Sequence, residues 1–436
     1  MILYGGELFD TKEQDRLISG LDERISGTLA EKSLMPETLI SAAEKLRADI
    51  LKGEFDEELF SIGLDDPERY KALACAVLSR ESLEQRLVEE LGGYPYQRVT
   101  EPPEGVSAKI NVSVMPLGVI FHIAAGNMDG LPAMSLAEGL ITGNVNILKL
   151  PSADNGLSLK IISRLIDYEP ELADFIYVFD TPSSDVHSMQ RLAALSDGIA
   201  VWGGEAAVKA VRALAPVGAK LIEWGHKLGL CYISGFDGRT EDLRGLAEHI
   251  AATKQLLCSS CQTIFVDTDD DIELRRFCEI FLPLLEEAAA RHADSSIGIR
   301  ARKTLHRHTE ELEEIIGVKS HDPNEYKGTE CRLIIREGTV ELSPMLCSVL
   351  VKKLPRRNIV SVLRQAKGFL QTAGLICAES DRLKLTEALF RSGITRVTRA
   401  EDMSAYFYGE AHDGEYPLRR YTRIINTQII YEAEMA

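Results

Sequence analysis

The chain carries eight cysteines, Cys75, Cys231, Cys258, Cys261, Cys278, Cys331, Cys347 and Cys377. Most lie inside apolar runs such as LGLCYIS and PMLCSVL, as reduced core cysteines do, and their scatter does not suggest a disulfide framework. Cys258 is placed differently. In KQLLCSSCQTIFVD a helical pattern ends and Cys258 falls in a short polar turn just before an apolar strand. A thiol in such a turn is accessible, as a nucleophile must be. Three readings stand side by side: an ordinary cysteine pair, a redox or zinc CxxC, or a nucleophile at Cys258 with Cys261 as its neighbour. Zinc needs two further ligands at close spacing, but there is no second CxxC and the His306-x-His308 pair falls on diverging helix faces. Thioredoxin-like dithiols open a helix at their first cysteine, whereas this pair follows one.

Two other stretches could bind or polarise a ligand. In PLGVIFHIAAGNMDGLPAMS a strand runs into small residues and then Asn127. An amide without bulk around it can donate to a developing oxyanion, and it can equally cap the next helix. In IAVWGGEAAVKA a strand, a glycine pair and a helix follow one another, so backbone N–H groups at Gly203 and Gly204 can face a pyrophosphate. No GxGxxG is present, so an ordinary dinucleotide fingerprint is not supported.

Positioning these residues requires a scaffold, and the sequence supplies one. Thr11 to Leu91 alternates charged and apolar residues at near-helical spacing, with Gly92-Gly93 as a stop. YPYQRVTEPPEGVSAKINVSVMPLG then reads as an extended or hairpin connection that can pair with another subunit. From Pro116 short apolar strands alternate with helices, including Leu131–Thr142 and Leu157–Leu165, and a second series carries helices at Glu241–Leu257 and Ile272–His292. The expected class is α/β: two parallel-sheet lobes with a cleft between them and ligands at strand C-terminal ends.

Composition limits the partners. The 436 residues include 49 Lys+Arg and 67 Asp+Glu, for a net charge of −18, so a nucleic-acid or anionic membrane partner is disfavoured. No basic apolar leader and no apolar run of about 20 residues is visible, so the default location is the cytoplasm.

In order, these stretches resemble the aldehyde dehydrogenase superfamily, and in detail its LuxC-type branch of fatty acyl-CoA reductases, from about Pro116 to the C-terminus. In that superfamily a Pro-x-Gly strand leads to an oxyanion-stabilising Asn, a position matched by Pro116, Gly118 and Asn127. The family's adenosine-ribose Lys matches Lys149 in GNVNILKLP, and its pyrophosphate turn matches Gly203 and Gly204 in VWGGE. Its Glu-x-Gly-Gly-Lys segment resembles IEWGHK, giving Glu223 and Gly225, with His226 in place of the second glycine. The nucleophile motif of acylating members, Cys followed four residues later by Gln and a strand, matches Cys258 and Gln262. An acidic residue that holds the nicotinamide ribose corresponds to Glu341, one residue closer to Pro344 than in the family. The C-terminal GEAHDGEYPLRR, with His412-Asp413-Gly414, resembles the LuxC-type ending.

The resemblance implies two Rossmann-like lobes and an oligomerisation arm, with residues 1–97 and 112–225 binding cofactor, 226–413 carrying the nucleophile, and 98–111 and 414–436 forming the arm. It implies reduction of an acyl-CoA, in this family a long-chain fatty one, to an aldehyde with NADPH, or NADH, through an acyl-cysteine on Cys258. No metal is required. Implied partners are an acyl-CoA or other acyl thioester, an acyl-transferring protein, and further copies of the chain in a homodimer or homotetramer. Glu223 keeps a second enzyme reading open, because in hydrolytic aldehyde dehydrogenases this position activates water; the product is then an acid or acyl-CoA. A paired, site-shaping carboxylate is the other role for it. A non-catalytic scaffold with the same fold is a third reading.

Overall fold

A computed structural model describes residues 1–61, 67–100, 104, 108–124, 130–151, 156–292, 301, 304–305, 308–309, 312, 315–316, 322–405 and 409–429. The chain forms two compact units, Met1–Gly225 with Phe407–Ala436, and His226–Tyr406.

The first unit is built on strands β1 (Ile2–Tyr4), β2 (Glu7–Phe9), β3 (Gln97–Thr100), β4 (Lys109–Pro116), β5 (Val119–Ile123), β6 (Val145–Lys149), β7 (Ile176–Phe179), β8 (Gly198–Trp202), β9 (Lys220–Trp224) and, at its end, β17 (Thr422–Ile429). Its main sheet has the order β2-β1-β7-β6-β5-β8-β9. The five strands β7-β6-β5-β8-β9 are parallel, and β5, β6 and β7 are buried along their whole length, which is why they read as mainly apolar runs broken only by His122, Asn146 and the terminal Lys149. Strand order reverses between β5 and β8, the switch point beside which α/β sheets bind ligands.

The turn into β5 explains one sequence signature. Gly118 has φ +132, and a Cβ there would lie 2.2 Å from Asp197 Oδ2, the oxygen that accepts from Val119 N at 2.8 Å. Only glycine fits both demands.

Helices Gln14–Glu31, Pro36–Lys52 and Arg80–Leu91 bury Leu17, Leu21, Ile25, Leu39, Leu46 and Leu83 in this unit's core. The hairpin β1–β2 was not expected from the sequence; it adds antiparallel to the edge of β7. Three-residue strands are too short for periodicity to reveal.

A separate three-stranded antiparallel sheet, β17-β4-β3, joins the connection after the helices to the C-terminal strand, Thr422 facing Pro116 and Ile429 facing Lys109. Ile424 is 69% exposed on it, and Val99 and Met115 are also exposed.

The second unit holds β10 (Leu228–Ile233), β11 (Cys261–Val266), β12 (Glu325–Lys327), β13 (Arg332–Ile335), β14 (Ser348–Lys353), β15 (Leu370–Ile376) and β16 (Arg396–Thr398), in the order β12-β13-β14-β11-β10-β15-β16. All pairs are parallel except β12 with β13. Alternate residues feed opposite faces: Cys231, Ile233, Ile264 and Val266 pack with helices Thr240–Thr253 and Asp271–Arg291, while Leu230, Tyr232 and Phe265 pack with helices Ile359–Leu363 and Glu379–Ser392. Each large apolar side chain so buried contributes about 1.5–3 kcal/mol.

Candidate active site

The turn that carries Cys258 begins earlier than the sequence pattern suggests. The helix expected to reach Leu257 ends at Thr253, and Lys254 and Gln255 take left-handed backbone with φ 49 and 62. Such backbone costs about 1–2 kcal/mol per non-glycine residue, so it needs compensating contacts.

These contacts are present. Lys254 O accepts from Leu346 N at 3.0 Å. The buried Gln255 amide donates to Cys261 O and to Ser343 Oγ, each at 3.0 Å. Gln262 donates to Gln255 O at 2.8 Å and accepts from Ser343 Oγ at 2.7 Å. The glutamine four residues after Cys258 therefore braces the reversed backbone that presents the turn. Met345, Leu346 and Cys347, on the segment touching this network, are also left-handed, with φ 64, 50 and 66.

Cys258 emerges from that reversal with its side chain exposed. Ser260 closes the turn, donating through its N to Leu257 O at 3.0 Å and accepting from Leu257 N at its Oγ at 3.1 Å. Ser259 Oγ meets Ser404 Oγ at 2.8 Å. The backbone crosses directly over β10: a Cβ on Gly229 would lie 2.5 Å from Ser260 O and 2.6 Å from Ser259 O. From β15, Gln371 Nε2 reaches Cys258 Sγ at 3.6 Å.

Neither Gly229 nor Gln371 was singled out by sequence reasoning. A lone glycine in the apolar strand LGLCYI signals close backbone approach, so Gly229 had a usable signal. Gln371 had none. The turn also sits at the amino ends of β10, β11 and β15, whereas ligand chemistry was expected at strand C-terminal ends. The reason is local: Cys258 follows a helix and enters a strand.

Cys261 is a different thiol from Cys258. It is fully buried as the first residue of β11, its Sγ lies 3.6 Å from Thr263 O, and burial pushes its pKa far above the ordinary thiol range. It is therefore held as a neutral thiol. Among the described residues no group of three or more His, Cys, Asp or Glu is placed to hold a metal ion.

The first unit places its sequence-picked residues at the carboxyl ends of the main sheet. Lys149 ends β6 and is buried; burial lowers its pKa, and the charge of Asp180 opposes that. Gly203 and Gly204 follow β8, with Gly204 as N-cap of helix Glu205–Leu214, where no side chain caps the helix. A Cβ on Gly204 or on Gly225 would meet nothing within 4 Å, so both backbones are open to approach. An uncapped helix N-terminus behind an open glycine at a switch point, with a lysine at the same end of the sheet two strands away, suits the pyrophosphate and ribose of a dinucleotide. Asn127 lies outside the described residues, as does His306.

Glu223 lies on β9 and is gripped by Arg212, Nε to Oε1 at 2.5 Å and Nη2 to Oε2 at 2.6 Å. The hydrogen bonds from Arg212 hold its carboxyl below the usual range, against an opposing effect of burial. Glu341, in the second unit, pairs with the Lys352 ammonium. Lys352 is buried on β14, and its Nζ also donates to Glu337 O at 3.1 Å and Thr339 O at 2.7 Å, while Thr263 Oγ1 donates to Glu341 O at 3.3 Å.

The C-terminal segment returns to the first unit. His412 lies 5.6 Å from the ring of Trp202 and 5.0 Å from that of Trp224, and the two indoles stack at 5.3 Å. Beneath them the fully buried His122 bonds Ser135 Oγ at 2.8 Å and Asn146 Oδ1 at 3.0 Å, and Trp202 Nε1 donates to the same Ser135 hydroxyl at 2.9 Å. Burial lowers the pKa of His122 to about 4.

Solved aldehyde dehydrogenases share this fold. An NADP-dependent glyceraldehyde-3-phosphate dehydrogenase from Bacillus halodurans C-125, complexed with NADP, superposes with a TM-score of 0.66 at 18% identity, over 98% of each chain. Aldehyde dehydrogenase 21 from Physcomitrella patens, in complex with succinate, gives 0.68 at 12% identity, over 98% of this chain and 92% of that one.

Curated relatives include the long-chain acyl-protein thioester reductases of Aliivibrio fischeri, 25% identical over 72% of this chain and 65% of that protein, and of Vibrio harveyi, 24% identical over 82% of this chain and 73% of that protein. The chain thus spans about two thirds of the length of the Aliivibrio relative. The family model described as acyl-CoA reductase (LuxC) matches residues 40–424, and with most of its length inside that match the chain belongs to the LuxC family.

Proposed function

We propose that this protein is an oxidoreductase that reduces a long-chain fatty acyl thioester, presented on coenzyme A or on a protein, to the aldehyde, with Cys258 as the acyl carrier. The observation that carries the reading is the contrast within the CSSC turn: Cys258 is exposed and Cys261 is sealed in the sheet. A thiolate exchanges readily with a thioester, because one sulfur replaces another and no metal is needed. The thioester substrate is also in keeping with the names of the curated relatives.

The carriers of a nicotinamide cofactor in this proposal are Lys149, Gly203, Gly204 and Gly225 in the first unit and Glu341 in the second, and Asn127 is assigned to the oxyanion. When bound, the reduced nicotinamide, NADPH or NADH, supplies hydride to the acyl group. Glu223 is assigned to shaping the site and not to activating water, because the Arg212 pairing keeps it a tightly held ion. That weighs against release of acid. No described helix is long and apolar enough to cross a membrane, and we assign the protein to the cytoplasm. The exposed apolar residues of the three-stranded sheet are assigned to assembly with further copies of the chain, as a homodimer or homotetramer.

The test is intact mass after mixing with a long-chain acyl-CoA. An acyl adduct on Cys258 that disappears on adding NADPH, with aldehyde formed, is the expected result. An adduct that never forms, with activity only on free aldehydes, supports an aldehyde dehydrogenase that releases acid instead, and neither activity supports a scaffold.

A further inference from the structure

Gln371 lies where β15 carries an extra residue. Leu370 pairs with Leu228 and Ala373 with Leu230, so Gln371 and Thr372 both fall opposite Gly229. A bulge of this kind turns a side chain out of strand alternation, and bulges recur where a strand must aim a residue at a site. This one brings the Gln371 amide to Cys258, Nε2 to Sγ at 3.6 Å.

The end of the amide that faces sulfur is fixed by its neighbour. Thr372 Oγ1 donates to Gln371 Oε1 at 3.4 Å, which leaves the NH2 end for the sulfur. The backbone is anchored too, because Gln371 O accepts from Thr395 N at 3.0 Å and from Thr395 Oγ1 at 3.2 Å. Gln371 is 6% exposed, so its amide is fixed and little solvated beside an exposed thiol.

We propose that Gln371 is a catalytic residue whose amide N–H donates to the Cys258 sulfur whenever that sulfur carries negative charge. The proposal rests on Cys258 being the nucleophile. A donor that bonds the charged form favours it, and a bond to an ion is stronger than one to a neutral group.

The sulfur is charged twice in a turnover. In acyl transfer a lone pair of the Cys258 thiolate forms the new C–S bond, the carrier's C–S bond breaks, and its electron pair leaves on the carrier sulfur, which takes a proton from solvent. At discharge, once hydride from a reduced nicotinamide has added to the acyl carbon, the resulting thiohemiacetal alkoxide closes to the aldehyde carbonyl, the C–Sγ bond breaks, and the electron pair returns to Sγ. Gln371 favours the thiolate at both points. Being neutral, it does so without the deep pKa depression that blunts a thiolate's nucleophilicity.

The experiment follows alkylation of Cys258 by iodoacetamide from neutral to alkaline pH, located by peptide mass, in parallel with acyl-enzyme formation from an acyl-CoA. In Gln371→Leu the pH of half-maximal alkylation is expected to rise by about one unit, with a roughly tenfold slower acylation at neutral pH. Gln371→Glu keeps the shape and shifts the profile further, because a carboxylate repels the thiolate. It also provides the readout if the leucine variant does not fold.

Unchanged alkylation profiles in both variants, with Cys258→Ala abolishing the acyl-enzyme, overturn the role of Gln371 and leave the nucleophile standing. An acyl-enzyme that survives Cys258→Ala removes the nucleophile and this inference with it.

Discussion

Arg212 closes on both carboxylate oxygens of Glu223, at 2.5 and 2.6 Å. A carboxylate held this way stays ionised to lower pH than a free one, and it is a weak base for activating water. Glu223→Gln is therefore expected to leave acyl-enzyme formation and the ratio of aldehyde to acid nearly unchanged. Arg212→Met, which frees the carboxylate, should increase acid release several-fold. Product analysis by mass spectrometry decides, and a fall in acid in Glu223→Gln alone would show that the base already works.

His122 provides a pH prediction for stability. Its folded pKa, about 4, lies below its unfolded value because burial disfavours the cation. The unfolded chain therefore binds the proton first as pH falls. The stability is full above the unfolded value of about 6.5 and is lost progressively down to about 4, by roughly 3 kcal/mol in total. Urea midpoints should fall over that window, and His122→Asn should flatten this part of the dependence.

Gly229→Ala places a methyl against the backbone oxygens of Ser259 and Ser260. Backbone cannot yield as a flexible side chain can, so the turn must move. Destabilisation of about 1–3 kcal/mol in urea and a marked loss of acylation are expected together. Retained acylation at full stability would mean that the turn tolerates displacement.

Lys352→Met removes the ammonium that ties Glu341 to Glu337 O and Thr339 O. Two carbonyls lose their donor, at a cost of about 1–3 kcal/mol each where they stay unsatisfied. If Glu341 holds the nicotinamide ribose, the KM for cofactor rises well beyond any change in kcat. Equal loss in both would assign Lys352 to folding alone.

Ile424→Asp puts a charge on the exposed face of β17. Sedimentation velocity should show a shift toward smaller species, with each protomer still folded. An unchanged sedimentation coefficient would place assembly elsewhere.

The α/β class and the long elements were legible in the sequence because buried parallel strands and amphipathic helices leave unbroken or periodic apolar patterns. The turn at Cys258 was also legible, but its start was not: nothing in the letters of Lys254 and Gln255 announces left-handed backbone, which is held by Ser343 and Leu346 from about ninety residues away. Gln371 was hidden for a related reason. Its aim depends on a register slip between β10 and β15, a property of two strands and not of either sequence. Arg212 and Glu223 sit eleven residues apart, on a helix and the next strand, so their pairing had to await the fold. Asn127 lies outside the described residues.

The chain has two tryptophans, Trp202 and Trp224, and they are stacked on each other at the ends of β8 and β9, immediately before Gly203 and Gly225. Its indole emission is therefore a single-locus optical signal, with no background from elsewhere in the protein. Light absorbed there reports on the glycine turn next to it and on the His412 ring that covers it. If a reduced nicotinamide binds at that turn as proposed, energy transfer from the two indoles will titrate its occupancy in the unlabelled protein, even in a variant with no turnover.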